Sequence, residues 1–273
     1  MQAADLPYTV RNLALSSGSM VAVPTQSKFI RQLFDAMAYF FGRSEGTYSD
    51  HFPTSEESPN FPFKGFILAG PPGSGKTEAV IESGRMLYKV LAQEGAEVQL
   101  FHVNSANINR KGLGDNEARL RQVFRDGKSQ TDKSKRTIIL FDDIETLLVK
   151  RTDEHTSEWG RSMNGVFFHE LDQLITTRTM VIATTNEPNL VDDAVTSRLT
   201  LRDAPAPTIE EMVEVSKTCI PIAGANGMTR EQLQEKCAAL IQSQIDDGEP
   251  PSFRLARKSA IEILMSDVVG WNN

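Results

Sequence analysis

The segment Gly70-Pro71-Pro72-Gly73-Ser74-Gly75-Lys76-Thr77 constrains this 273-residue chain more than any other. It fits the pattern G-x-x-x-x-G-K-[ST], and its flanks are those the pattern requires. The short apolar run Gly65–Ala69 leads into it, and a helical pattern from Lys76 to about Glu94 leads out. Glycines at such a strand-to-helix turn let backbone N–H groups face one point and cradle anionic oxygens. Lys76 adds a positive charge for β- and γ-phosphates, and the Thr77 hydroxyl can ligate Mg²⁺. A glycine-rich turn that merely contains a lysine would not need a strand before it and a helix after it. Pro72, Gly73, Ser74, Gly75, Lys76 and Thr77 are therefore read as binding the phosphates of ATP.

The rest of the chain alternates in the same way. Val98–Val103 alternates like a strand, Glu117–Gly127 is helical, and Thr137–Phe141 is a continuous apolar strand. A helix follows from about Glu158 to Ile175, then a strand at Met180–Thr184. Strands alternating with helices imply a parallel sheet covered on both faces. Before this pattern, residues 1 to about 25 read as a loosely packed arm. Phe29, Leu33, Phe34, Met37 and Phe40 mark one face of a helix ending near Gly42. Residues 43–60 are polar and read as a long loop, with a partner contact as the alternative. After Pro205-Ala206-Pro207 only helical patterns remain, the first headed by Thr208 with Glu210 and Glu211 in its opening turn. The expected fold class is α/β. A phosphate-loop sheet flanked by helices spans 61–204, preceded by an arm, helix and loop over 1–60 and followed by a small all-α domain over 205–273.

A second motif bears on chemistry. Ile138-Ile139-Leu140-Phe141-Asp142-Asp143 is an apolar strand ending in two acids. A buried parallel strand delivers its last residues to the crevice at the carboxyl edge of the sheet. There Asp142 would hold Mg²⁺, directly or through water, and Asp143 would orient an attacking water and take its proton. Two acids solvating a strand end are the plainer alternative. Glu145 reads as a helix-start acid.

Composition excludes several classes. The formal net charge of −7 makes the chain poor bait for a nucleic-acid backbone. Cys219 and Cys237 form no CxxC pair and read as free buried thiols, which fits a reducing cytoplasm. No apolar run approaches the ~18 residues that cross a bilayer, so no membrane partner is expected. The first residues lack the charged and apolar regions of a signal peptide.

The two motifs together resemble the AAA+ superfamily of ring ATPases. Met180–Asn186 is similar to its sensor-1 strand, with Asn186 placed to help position the water. Asp192–Leu199 is similar to the segment that carries the arginine finger, here Arg198. Pro251–Lys258 is similar to the start of the sensor-2 helix in the lid, here with Arg254. Each has a plainer alternative: Asn186 could cap a turn, and Arg198 or Arg254 could be a solvated charge. Arg202 and Arg257 compete for the arginine roles. The resemblance covers about residues 25–273 and implies a ring, hexameric in most members, with ATP and Mg²⁺ as cofactors. Two positions depart from the family pattern. Asp143 stands where a glutamate is usual, which shortens the reach of the base by one methylene. The pore-loop-like segment Arg110–Glu117 has Gly112 where an aromatic is usual, leaving Leu113 as a weaker grip.

Within the superfamily, the segment Glu117–Phe124 and the Ser252–Lys258 pattern resemble protein remodellers, in particular those acting on HORMA-domain proteins. The expected function is ATP-driven remodelling of a partner protein. The alternatives are a nucleotide-dependent assembly switch with slow hydrolysis and a DNA-acting loader.

Overall fold

The computed structural model describes residues 6–14, 22–41, 63–108, 114–128, 134–148, 158–225 and 227–269. In chain order its elements are β1 (Tyr8–Arg11), α1 (Pro24–Phe41), β2 (Gly65–Ala69), α2 (Lys76–Gln93), β3 (Glu97–Asn104), α3 (Ser105–Ile108), α4 (Asp115–Gly127) and β4 (Lys135–Asp142). There follow α5 (Glu158–Asp172), β5 (Thr179–Thr185), α6 (Asp193–Thr196), β6 (Thr200–Asp203), α7 (Ile209–Ser216), α8 (Arg230–Asp246) and α9 (Phe253–Ile263). These divide into two compact units. One draws on residues 1–17, 30–69 and 77–203, the other on 18–29, 70–76 and 204–273.

The first unit is a six-stranded sheet in the order β1-β3-β4-β5-β2-β6. All neighbours are parallel except β1, which runs antiparallel to β3. The apolar runs explain the order. β5 is buried throughout and β4 at all but its end residues, as expected of central strands covered on both faces. Phe101, Val103, Ile139, Phe141, Val181 and Ala183 point to one face, into a core shared with Leu120, Phe124 and Phe167 of α4 and α5. The alternate residues Leu100 and Ile138 face α2, close enough that a side-chain carbon on Gly84 would touch both at 3.5 Å.

Two strands were not legible in the sequence. Residues 8–11, expected within a loosely packed arm, form β1, anchored by Tyr8 stacking on Phe101 with ring centroids 4.2 Å apart. Tyr8 also donates its hydroxyl to Asp126. Residues 200–203 form β6, a four-residue edge strand with three exposed positions, too short and polar to show a pattern. The pore-loop-like positions Gly112 and Leu113, and the 43–60 loop, lie outside the described residues.

The second unit packs α7, α8 and α9 around Met212, Leu233, Cys237, Ile241, Ala256 and Ala260. The helix headed by Thr208 starts where the sequence placed it. Thr208 and Glu211 form a reciprocal capping box on α7, and Thr229 and Gln232 form one on α8. Glu211 also accepts the backbone N–H of Thr25 at 2.6 Å, fixing the first turn of α1 to α7. Cys237 is buried and Cys219 half-buried, and both are free thiols.

Candidate functional site

The glycine-rich loop belongs to the second unit. Gly73 and Gly75 take left-handed φ of 77° and 89°, conformations that side chains disfavour. A side-chain carbon on Gly73 would lie 2.7 Å from Cβ of Arg254, and one on Gly75 would lie 2.7 Å from Nε2 of Gln26. The loop is held from both sides. The N–H of Phe253 donates to the carbonyl of Gly73 at 3.0 Å, and Gln26 Nε2 donates to the carbonyl of Gly75 at 3.0 Å. Lys76 is buried, with Nζ donating to the carbonyls of Gly70 and Pro71 at 2.8 and 3.1 Å. Ser74 is 1% exposed, and its hydroxyl has no hydrogen-bond partner among the described residues. Pro72 is exposed at the tip. Arg254, in the first turn of α9, is exposed and is brought against the loop through the Gly73 contact.

The carboxylates sit in the first unit, at the carboxyl edge of the sheet. Asp142 ends β4. Its Oδ1 accepts the hydroxyls of Thr77 and Thr184, each at 2.7 Å, and its Oδ2 faces Nε2 of His102 at 3.4 Å. Burial alone would raise this carboxyl, but the hydrogen bonds from His102, Thr184 and Thr77 outweigh it and hold the group at about 2. Asp142 is thus a firmly ionised carboxylate.

Asp143 is different. It is exposed and takes a left-handed backbone, φ 50° and ψ 61°. It is the only such non-glycine residue among those described. Aspartate tolerates that conformation better than most residues. Its N–H donates to Thr184 Oγ1 at 3.0 Å, and its Oδ1 accepts the side-chain amide of Asn186 at 2.9 Å. Glu145, expected as a helix-start acid, stands in the first turn of a short helix over Ile144–Thr146 and also accepts the backbone N–H of Asn186 at 3.1 Å. Its other oxygen is buried with no hydrogen-bond partner among the described residues. Asn186 is therefore gripped by two carboxylates.

The arginines separate. Arg198 is engaged within its own chain. Nε and Nη2 reach the two oxygens of Asp172 at 2.7 and 3.0 Å, Nη1 donates to the carbonyl of Ala194 at 3.1 Å, and the guanidinium lies 5.1 Å from the centre of the Phe168 ring. Arg202 on β6 is exposed, donating to the carbonyl of Leu201. Arg257 is also exposed.

Sequence reasoning missed His102, Thr184, Gln26 and the part played by Glu145. Thr184 lay within the strand already singled out, so only its direction was lacking. His102 and Gln26 carried no motif signal.

The family model for the ATPase family associated with various cellular activities (AAA) matches residues 66–203, just over half of the chain. The chain belongs to this family. An ATPase family gene 2 protein of Schizosaccharomyces pombe is 34% identical over 134 residues, covering 49% of this chain and 15% of that protein. A spastin homolog of Caenorhabditis elegans is 32% identical over 144 residues, covering 52% of this chain and 25% of its own length. The chain thus spans a quarter or less of these AAA relatives. Among solved structures, a chain of the E. coli MS115-1 HORMA:CdnC:Trip13 complex matches with a TM-score of 0.55. That match covers 89% of this chain and 93% of that one at 16% identity, a likeness of fold.

The residues fit an AAA nucleotide and its Mg²⁺. The unpartnered Ser74 hydroxyl, the glycine cradle and Lys76 are donors suited to phosphate. Thr77 and Asp142 offer hard oxygen donors of the kind Mg²⁺ takes. No group of three or more His, Cys, Asp or Glu among the described residues could hold a metal by itself. Mg²⁺ typically needs no such cage, because it takes most of its ligands from phosphates and water. No helix among the described residues is long and apolar enough to cross a membrane.

Proposed function

We propose that this chain binds ATP with Mg²⁺, hydrolyses it, and uses the cycle as a ring of copies, hexameric as in most ring ATPases, to remodel a partner protein in the cytoplasm. The observation that carries the reading is the state of the two adjacent acids. Asp142 is an ionised carboxylate locked by two hydroxyls, while Asp143 is exposed and aimed by Asn186. In this reading Pro72 to Lys76 wrap the phosphates with backbone N–H groups, and Lys76 supplies charge. Thr77 and Asp142 hold Mg²⁺, which when bound neutralises charge on the phosphate oxygens. Asp143 accepts the proton of the attacking water, which Asn186 keeps in line. Glu145 fixes the backbone of Asn186, so the amide does not drift. Arg254 reaches the phosphates from the first turn of α9.

Arg198 is the arginine offered to a neighbouring copy, and to serve it must leave Asp172. Arg202, exposed on β6, is the alternative. The likeness to a chain of a HORMA:CdnC:Trip13 complex supports a HORMA-like protein as the partner class, ahead of nucleic acid. One observation favours a second reading, an assembly switch with slow hydrolysis: Asp143 is a short base on a constrained backbone.

Lys76→Ala tests the first step. Calorimetric titration should show ATP binding lost, and unchanged affinity would sink the phosphate-loop assignment. Turnover of the wild type, with and without a HORMA-domain protein, separates remodelling from switching.

A further inference from the structure

The edge strand β1 reaches the metal-binding carboxylate through a line of side chains on one face of the sheet. Thr9 of β1 is paired with His102 of β3, so Arg11, two residues on, projects on the same face and meets His102 diagonally. On the next pair of strands His102 lies opposite Leu140, and Asn104 opposite Asp142. His102 and Asp142 therefore share that face and also meet diagonally. The distances follow this geometry. Arg11 Nη2 and Nε lie 2.8 and 3.2 Å from Nδ1 of His102, and Nε2 of the same ring lies 3.4 Å from Oδ2 of Asp142.

The chemistry of the three groups sets the direction of each bond. A guanidinium has only donors, so Nδ1 must accept. In a neutral imidazole the ring proton then sits on Nε2, where it is donated to Asp142. Oδ1 of Asp142 is already occupied by the hydroxyls of Thr77 and Thr184. With His102 on Oδ2, both oxygens are anchored and the carboxylate plane cannot turn. The proton of the Thr77 hydroxyl is committed to Asp142, which leaves its lone pairs for a cation.

We infer that Arg11 and His102 are positioning residues for the Mg²⁺ site: Arg11 fixes the His102 tautomer, and His102 fixes Asp142. This rests on the reading of Thr77 and Asp142 as metal ligands. It also gives β1, a strand outside the family-matched segment, a direct line to that site. Partners that orient a ligating group in this way commonly change metal affinity by about 10- to 100-fold.

The test uses Mn²⁺ as the probe, its affinity read by electron paramagnetic resonance with saturating ADP, beside ADP affinity without metal. His102→Leu should weaken Mn²⁺ binding about tenfold, with metal-free ADP affinity unchanged. His102→Gln should recover most of the loss, because its amide can accept from Arg11 and donate to Asp142. Arg11→Met should weaken Mn²⁺ by a smaller factor. It should also convert the ¹⁵N signature of His102 from a single Nε2–H tautomer to a mixture. Asp142→Asn is the reference. If it loses Mn²⁺ while His102→Leu and Arg11→Met bind as wild type, the inference is overturned and the metal site stands. If Asp142→Asn itself binds Mn²⁺ as wild type does, the metal-site reading falls, and the inference with it. Should His102→Leu fail to fold, Arg11→Met decides, since Arg11 is exposed: unchanged Mn²⁺ affinity and an unchanged ¹⁵N signature overturn it.

Discussion

The two edges of the sheet carry charge in opposite ways. At the amino edge cations are buried and answered. Lys64, 3% exposed, donates to the carbonyl of Leu174, and Arg136, 4% exposed, donates to that of Phe41. Arg198 closes both oxygens of Asp172. At the carboxyl edge the key charge is an anion held by hydroxyls and an imidazole, with no lysine or arginine on Asp142 among the described residues. The first arrangement completes the fold. The second orients a carboxylate without neutralising it, as a site for an incoming cation requires. Adjacent residues repeat the contrast: Asp142 points into this network, while Asp143, turned outward by a left-handed backbone, is exposed.

If this contrast holds, mutations at the carboxyl edge change chemistry and those at the buried cations Lys64 and Arg136 change stability. The largest effect is expected at Asp143. Asp143→Asn should leave ATP affinity intact and lower turnover about 10²-fold, as for loss of a positioned base. Equal steady-state turnover in variant and wild type would remove Asp143 from catalysis and erase the contrast there. Glu145→Gln should lower turnover by a smaller factor, because the amide can still accept from Asn186 while its charge is gone. A variant with turnover at the Asp143→Asn level would mean that Glu145 itself handles the proton.

The edges should also titrate at opposite limits of pH. Asp142 is held at about 2 against an ordinary 3.8, so the folded state favours its ionised form. Its contribution is present above about pH 4 and lost as pH falls toward 2. Lys64 is lowered from 10.5 to about 8, chiefly by burial. Between those values the unfolded chain binds more protons, so stability rises with pH across that window. Each limb should amount to about 2–3 kcal/mol. Urea midpoints would show Asp142→Asn missing the acid loss and Lys64→Met missing the alkaline gain. Superimposable pH profiles for wild type and variants would break the assignment.

The smallest effect is expected at Asp172. Both partners of the Arg198 pair are partly exposed, and such pairs are worth about 0–1 kcal/mol. Asp172→Ala should shift the melting temperature only slightly. Turnover at high protein concentration should be maintained or raised, because Arg198 is released. A loss of turnover as deep as that of Asp143→Asn would instead make the Asp172 contact part of the active arrangement.

The sequence by itself determined the strand, glycine-rich turn and helix around 65–93, the central strands and the start of α7. The reason is that their signals are local. A glycine-rich turn between a strand and a helix is a short contiguous pattern, a buried parallel strand must be a continuous apolar run, and a capping box is written in four residues. It also brought Asp142, Asp143 and Asn186 forward, because strand ends in a parallel sheet share one edge. What only the tertiary structure decided depends on pairing between distant segments. Arg11 and His102 meet because β1 pairs antiparallel with β3 in one register, and a slip of one residue would turn each side chain to the other face. The short β6 pairs with β2, Glu145 turns to the backbone of Asn186, and Arg198 folds onto Asp172 across 26 residues. None of these contacts has a period or a motif along the chain. Each exists only because the packed core fixes which strand lies beside which.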